Sequence, residues 1–333
     1  MRIFNVSKIA MNPIKMKIPI LFLSLIALCV SCKNDDDPAP GYVIGKNIYS
    51  VDVDGDMREY YVSVPAGYSE TKATPVVFML HGTSGDGEKF YNTSGWKEVG
   101  ETDTVITVFP SSWHYCIFDE DSLQKNTTKW NTLPANWTLC NGQVARDDIK
   151  FLRTIVDKMH DILNIDHKRI YLVGFSNGGQ MAAKCAIEMG DIFAAIVENA
   201  GSFSFDTTYF PVRKMPVALQ RGNEDYGSGG SGPAIPLSAL DTLLRTPGLP
   251  FAGSYYRVAS THVKSFELDP NFTVSGDTNS IVVATYPSLT ADPQNIFQFI
   301  LVKGLKHAYP NGENHPLEAA VYHWDWLKQY SLP

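Results

Sequence analysis

The chain has 333 residues, 44% apolar and 19% charged, with a formal net charge of −7. That balance belongs to a globular protein able to bury a large core. An acidic chain without a basic cluster argues against a nucleic-acid partner, and no internal repeat is visible.

The first 31 residues stand apart. Arg2, Lys8, Lys15 and Lys17 precede an apolar run from Ile18 to Leu28. That run is too short to span a membrane comfortably and has the length of a signal-peptide core, with Met11 and Met16 as alternative starts. Val30-Ser31-Cys32 is similar to the lipobox of bacterial lipoproteins, although Cys29 stands where Leu is usual. Lys33 to Asp37 is similar to the acidic export tag of surface lipoproteins in Bacteroidota. These resemblances imply lipidation at Cys32, export to the outer membrane, and membrane contact only through the lipid anchor. Residues 32–45 then read as an acidic tether. Removing residues 1–31 takes away four positive charges and no negative ones, leaving −7 − 4 = −11.

Residues 46–333 fit one α/β domain. Asn47 to Val53 and Arg58 to Val64 alternate around Asp54-Gly55-Asp56, the pattern of a β-hairpin; a calcium site at Asp52, Asp54 and Asp56 is the weaker reading. Thr74 to Leu80 is a continuous apolar strand ending in His81-Gly82-Thr83, and Thr104 to Phe109 is another. Trp113 to Asn141 reads as irregular and aromatic-rich; Trp113, Trp130 and Trp137 are candidates for either core or a substrate platform. A helix starts at Asp147-Asp148, with apolar residues at Ile149, Leu152, Ile155, Val156, Met159 and Leu163.

Arg169 to Gly179 is the stretch that points to chemistry. A β-branched strand, Ile170 to Val173, runs into Gly174-Phe175-Ser176-Asn177-Gly178, and helix formers follow to Met189. Strand, sharp turn and helix are the context that gives G-x-S-x-G its meaning. The turn would lift Ser176 above the sheet edge, and the Asn177 N–H would sit at a helix N-terminus, suited to a developing oxyanion. Strands at 193–197, 215–219, 281–286 and 296–302 and a closing helix from about Leu317 to Tyr330 complete an α/β fold with a largely parallel sheet. Phe205 to Arg213 and the segment 226–253 read as inserts.

In such a sheet, catalytic groups lie beyond the carboxyl ends of strands. Two loops after Ser176 qualify: Gln220 to Asp225 and Lys303 to His307. Ser176, Asp225 and His307 then follow the Ser…Asp…His order of α/β-hydrolases. His307 would take and return the serine proton while Asp225 orients it, and the Thr83 N–H would join that of Asn177 in an oxyanion hole. Glu224 and His315 are the rivals for two of these roles. His81 reads as structural, shaping its own loop. Cys116, Cys140 and Cys185 remain in the body; Cys116 with Cys140 is the favoured disulfide, since Cys185 falls on the helix behind the turn. No C-x-x-C pattern suggests zinc.

Six blocks occur in order: Leu80 to Thr83, Asn136-Trp-x-x-Cys140, Asp147 to Ile149, Gly174 to Gly179, Arg221 to Asp225, and Gly304 to Pro310. Together, over roughly Arg58 to Tyr330, they resemble the secreted esterases grouped with polyhydroxybutyrate depolymerases and with the feruloyl and acetylxylan esterases of carbohydrate esterase family 1. The resemblance implies an α/β-hydrolase fold and a cofactor-free, metal-free serine esterase acting on an ester-bearing polysaccharide or oligosaccharide. Polyester depolymerisation is the alternative within the same chemistry. A peptidase of the prolyl-oligopeptidase type is disfavoured, because the region ahead of the turn is too short for a propeller. A surface carbohydrate-binding protein that has lost catalysis is disfavoured by the complete triad. Leu305-Lys306, where that group has glycines, is expected to bring bulk and charge, and the segment 226–253 departs from the group's compact turn after the Asp; both are expected to lie over the site and to bear on substrate identity.

Overall fold

The computed structural model describes residues 41–118, 123–132, 137–205, 207–249 and 253–333. The expected signal peptide, Cys32, most of the tether and Asn136 lie outside the described residues. At the end of the stretch expected as a tether, Tyr42 packs edge-on against Tyr68 and donates its hydroxyl to Glu70 at 2.8 Å.

Strands β1 (Gly45–Val53) and β2 (Asp56–Val64) pair as an antiparallel hairpin. Asp54 and Gly55 take φ of 57° and 89°, the two-residue primed turn whose twist matches that of the strands. The acids at its tip are engaged locally: Asp52 accepts from the Gly55 N–H, Asp54 pairs with Lys150, and Asp56 pairs with Arg146. Strand β3 (Thr74–Leu80) is buried at every position, as a continuous apolar run must be when helices cover both faces. Helices α1 (Gly87–Thr93) and α2 (Trp96–Asp103) lead to β4 (Ile106–Pro110), parallel to β3.

The described parts of the Trp113–Asn141 stretch are not irregular throughout. They include a separate antiparallel sheet, in the order β6-β5-β7, from β5 (Trp113–Phe118), β6 (Gln124–Lys129) and β7 (Thr138–Leu139). Strand β6 reads Gln-Lys-Asn-Thr-Thr-Lys, so no apolar alternation announces it. A disulfide joins Cys116 on β5 to Cys140 just after β7.

Helix α3 (Asp148–Ile162) is capped by Asp147, whose carboxylate accepts from the Lys150 N–H at 2.9 Å. Then come β8 (Ile165–Phe175), α4 (Asn177–Glu188), β9 (Ala195–Asn199) and β10 (Val217–Gly222). The segment 226–253 carries a 3₁₀ turn at Leu237–Ala239 and helix α5 (Leu240–Arg245). Leu237, Leu240, Leu243 and Leu244 enter the main core, so this segment is part of the domain rather than an appended insert. Helix α6 (Gly253–Phe266), strands β11 (Thr273–Asp277), β12 (Ile281–Tyr286) and β13 (Phe297–Val302), and helix α7 (Ala319–Leu327) finish the chain.

The central sheet runs β1-β2-β4-β3-β8-β9-β10-β13-β12-β11. From β4 to β13 the neighbours are parallel, and both edges are antiparallel. Val76, Phe78 and Leu80 face one core with α3, α4 and α6; Val77 and Met79 face the other with α2 and α7. The carboxyl ends of β3, β8, β9, β10 and β13 therefore open on one rim, where the loops of interest leave the sheet. Among the described residues, no helix is long and apolar enough to cross a membrane.

Candidate active site

Strand β8 delivers the chain to Ser176, which adopts φ 54° and ψ −118°. A non-glycine residue there costs on the order of 1–3 kcal/mol and persists only when its surroundings hold it. Here the Ser176 N–H donates to the Asn199 carbonyl at 2.8 Å and its own carbonyl accepts from the Gln180 N–H at 3.0 Å. The flanking glycines are needed for close approach. A Cβ on Gly174 would stand 2.0 Å from the Gly178 carbonyl oxygen, and one on Gly178 would stand 2.5 Å from those of Leu80 and His81.

Three side chains far apart in sequence meet at this turn. The Ser176 hydroxyl lies 2.9 Å from His307 Nε2, and His307 Nδ1 lies 2.8 Å from Asp225 Oδ1. A carboxylate only accepts, so Nδ1 carries the proton and Nε2 is left as the acceptor facing the serine. Burial pushes the Asp225 carboxyl up. The hydrogen bond and charge of His307, the Gly227 N–H and the Arg221 guanidinium outweigh that, so its pKa lies below the usual carboxylate value. The rivals stand elsewhere: His315 Nε2 donates to the Lys303 carbonyl, and Glu224 makes no hydrogen bond to His307.

What holds the two loops in register was not read from the sequence. Asn223, at the end of β10, is almost fully buried. Its Oδ1 accepts from the Gly304 N–H at 2.7 Å, its Nδ2 donates to the Ile235 carbonyl at 2.8 Å, and its N–H donates to the Val302 carbonyl. One side chain thus ties the loop of Asp225 to the loop of His307 and to the segment 226–253. The Leu305 carbonyl accepts from the Glu224 N–H and presses on Gly222, where a Cβ would sit 1.9 Å from it. Leu305 is buried among core side chains, so the expectation that it brings bulk over the site is corrected: it turns inward, and Lys306 points to solvent. Beyond His307, the Trp96 Nε1–H donates to the Tyr309 hydroxyl (2.9 Å). That hydroxyl donates in turn to His323 Nδ1 (3.2 Å), and His323 Nε2–H donates to Gln220 Oε1 (2.9 Å). Tyr309 and Gln220 lie in stretches that the sequence marks, but nothing there links them to Trp96 or to His323 on the last helix.

The loop after β3 forms the opposite wall. A Cβ on Gly82 would lie 3.1 Å from that of Ser176. His81 is fully buried; its Nδ1–H donates to the Gly82 carbonyl (2.7 Å) and its Nε2 accepts from the Ser112 N–H (3.0 Å). Burial lowers its pKa to about 4, so the ring is neutral. Thr83 is exposed, and neither its N–H nor that of Asn177 donates to a backbone carbonyl among the described residues. The Asn177 side chain accepts from the Trp130 N–H at 2.7 Å, and Trp130 Nε1–H donates to the His81 carbonyl at 2.8 Å. Asn131 follows, donating its N–H to Asp148, whose other oxygen meets Arg58 at 2.7 Å in a buried ion pair.

Of the three tryptophans left open between core and platform, Trp130 is the one corrected as a platform. Trp130 is fully buried and serves as a brace beneath this wall, not as a platform a substrate can reach. Trp113 lies near the Arg58 and Arg146 guanidiniums, and Trp137 lies against Tyr115 and Lys129. Neither makes a hydrogen bond or ring contact with Ser176, Asp225 or His307. Among the described residues, no group of three or more His, Cys, Asp or Glu side chains is placed to hold a metal ion.

Comparison with known proteins places this geometry. The structure is similar to an acetyl xylan esterase from Aspergillus awamori, with a TM-score of 0.54 at 14% identity, over 85% of this chain and 99% of that one. The fold is that of the α/β-hydrolases. The model of the prolyl oligopeptidase family matches residues 135–227, a stretch that includes Ser176 and Asp225 and ends before His307. Feruloyl esterase B of Piromyces equi is 25% identical over 173 residues, 50% of this chain and 29% of that protein. Acetylxylan esterase A of Emericella nidulans is 23% identical over 188 residues, 54% of each. The chain thus spans about half the length of these relatives or less. The chain resembles the group that its six motif blocks point to.

Proposed function

We propose that the protein is a serine carboxylic-ester hydrolase that removes acyl groups, such as feruloyl or acetyl, from polysaccharide. The observation that carries this reading is the unbroken array from Ser176 Oγ through His307 to Asp225. In the proposed cycle the Ser176 oxygen attacks the ester carbonyl as its proton passes to His307 Nε2. The tetrahedral oxyanion is met by the N–H groups of Thr83 and Asn177, each worth roughly 3 kcal/mol of barrier if it donates. His307 then gives the proton to the departing alcohol, leaving an acyl-serine. Water repeats the sequence, with His307 again as base, and releases the acid. Asp225 holds the ring in this tautomer and stabilises the imidazolium. The names of the esterase relatives support the substrate class.

Purified protein is expected to hydrolyse short p-nitrophenyl esters and methyl ferulate, and to be labelled by a fluorophosphonate. Ser176→Ala is expected to lose the label and to fall in turnover by about 10⁴-fold or more. Equal labelling of both forms would remove the reading. Poly(3-hydroxybutyrate) films belong in the same panel, because a poly(3-hydroxyalkanoate) depolymerase of Paucimonas lemoignei is also a relative, 26% identical over 144 residues. We also propose that the enzyme is exported and held at the membrane by lipid on Cys32. Cys32→Ser should shift it from the membrane to the soluble fraction, and an unchanged distribution would exclude the anchor.

A further inference from the structure

Beside the nucleophile turn lies a cavity of about 210 Å³ that the mechanism above does not use. Gln180, Gly201, Ser202, Phe203, Phe205 and Arg221 are among its walls. Two of these walls touch the turn: a Cβ on Gly201 would stand 2.0 Å from the Ser176 carbonyl oxygen, and the Gln180 N–H donates its helical hydrogen bond to that same oxygen. The cavity is below the roughly 300 Å³ of a drug-sized site, so it suits a group about one ring across.

Its chemistry is uneven in one direction. Among the described residues Arg221 is its one charged wall residue, and no carboxylate lines it. Among the described residues Arg221 forms no ion pair. It makes a long 3.4 Å hydrogen bond to Ser254 Oγ and lies 5.6 Å from the Tyr255 ring centre. Asp225 is near enough to feel its charge, yet is already occupied by His307 and the Gly227 N–H. The Ser202 hydroxyl in the same wall is buried and has no hydrogen-bond partner among the described residues. A half-buried guanidinium with no counter-ion among the described residues, in the same wall as an unsatisfied hydroxyl, is a donor set for a carboxylate. The placement matters more because the chain as a whole is acidic, with a net charge of −7, and would otherwise repel an anion.

We propose that this cavity is a specificity pocket for an ester whose substrate carries a carboxylate, with Arg221 as its counter-ion. The proposal rests on the esterase reading. The carboxylate can come from an acidic sugar on the alcohol side or from a diacid half-ester on the acyl side. Two matched pairs separate these sources: acetylated methyl hexuronide against acetylated methyl hexoside, and p-nitrophenyl hemisuccinate against p-nitrophenyl butyrate. Wild-type protein should favour the anionic member of one pair by tenfold or more in kcat/KM, and less so at high salt. Arg221→Gln should bring that ratio to about one, and Arg221→Lys should keep much of it. The ratio is the readout because Arg221 also acts on Asp225, so absolute rates will fall for both members. Thermal melting checks that each variant folds. Hydrolysis of neutral esters with no anionic preference in either pair would overturn this inference and leave the esterase intact. Hydrolysis of no ester would remove the esterase reading. Titration calorimetry of Ser176→Ala with hexuronate and with succinate then judges the pocket alone, and binding equal to that of Arg221→Gln would overturn it.

Discussion

A serine hydroxyl becomes a nucleophile only when a base can accept its proton along a hydrogen bond already formed. That demand falls on single atoms here: His307 Nε2 must be bare, and Asp225 keeps it so by accepting from Nδ1–H at 2.8 Å. Asp225→Asn would present an amide that can donate to Nδ1, favouring the wrong tautomer while leaving the geometry nearly intact. Turnover should fall about 10³- to 10⁴-fold with KM little changed, as measured on a p-nitrophenyl ester. A loss under tenfold would mean that another carboxylate orients the ring. The pH dependence follows from the direction of the shift. Because the folded-state pKa of Asp225 is depressed, its contribution to stability is complete above the ordinary carboxylate range and is lost as pH falls through the depressed value.

At the scale of elements, the site is an agreement between three loops, and Asn223 is where they agree. Its two side-chain bonds join the chain after β10 to Gly304 and to Ile235. Asn223→Leu keeps the approximate volume but strands the Gly304 N–H and the Ile235 carbonyl, at roughly 1–3 kcal/mol for each buried group left unpaired. We expect a lower melting temperature and a fall in kcat larger than any change in KM, since His307 loses its register while the pocket walls persist. A rise in KM alone would show that the residue shapes binding and not the triad. The strand ends that carry the site were legible because β3, β8, β10 and β13 are apolar runs that end in glycine-bearing loops. Asn223 was not legible, because its partners lie 12 and 81 residues away and neither is marked by type. Strands β6 and β11 were invisible for a related reason: one is mostly polar and the other exposed throughout, so pairing fixes them and pattern does not. Trp130 misled because burial and display look alike in a list of aromatic residues.

For the whole molecule, the two cores on either side of the sheet each enclose or border a histidine that must stay neutral. His81 braces the loop after β3 with a pKa of about 4, and His323 links Tyr309 to Gln220 with a pKa of about 3, both lowered by burial. An unfolded histidine takes up a proton near pH 6.5. Below that value the unfolded chain binds protons that the fold refuses, so stability falls as pH drops from 6.5 toward the folded values. By pH 5 the loss is about 2 kcal/mol for each ring, reckoned at 1.36 kcal/mol per unit. Most ordinary carboxylates remain ionised through most of this window, and the buried Asp148 carboxyl, pushed up by burial, works in the opposite direction. Urea denaturation from pH 7 to pH 5 should show the decline, and His323→Gln, which can still bond to Gln220, should remove about half of it. A flat profile would mean that these rings take up protons within the fold. The buried relay from Trp96 to Gln220 would then have to reorganise around a charge, and the loop carrying His307, two residues from Tyr309, would move with it.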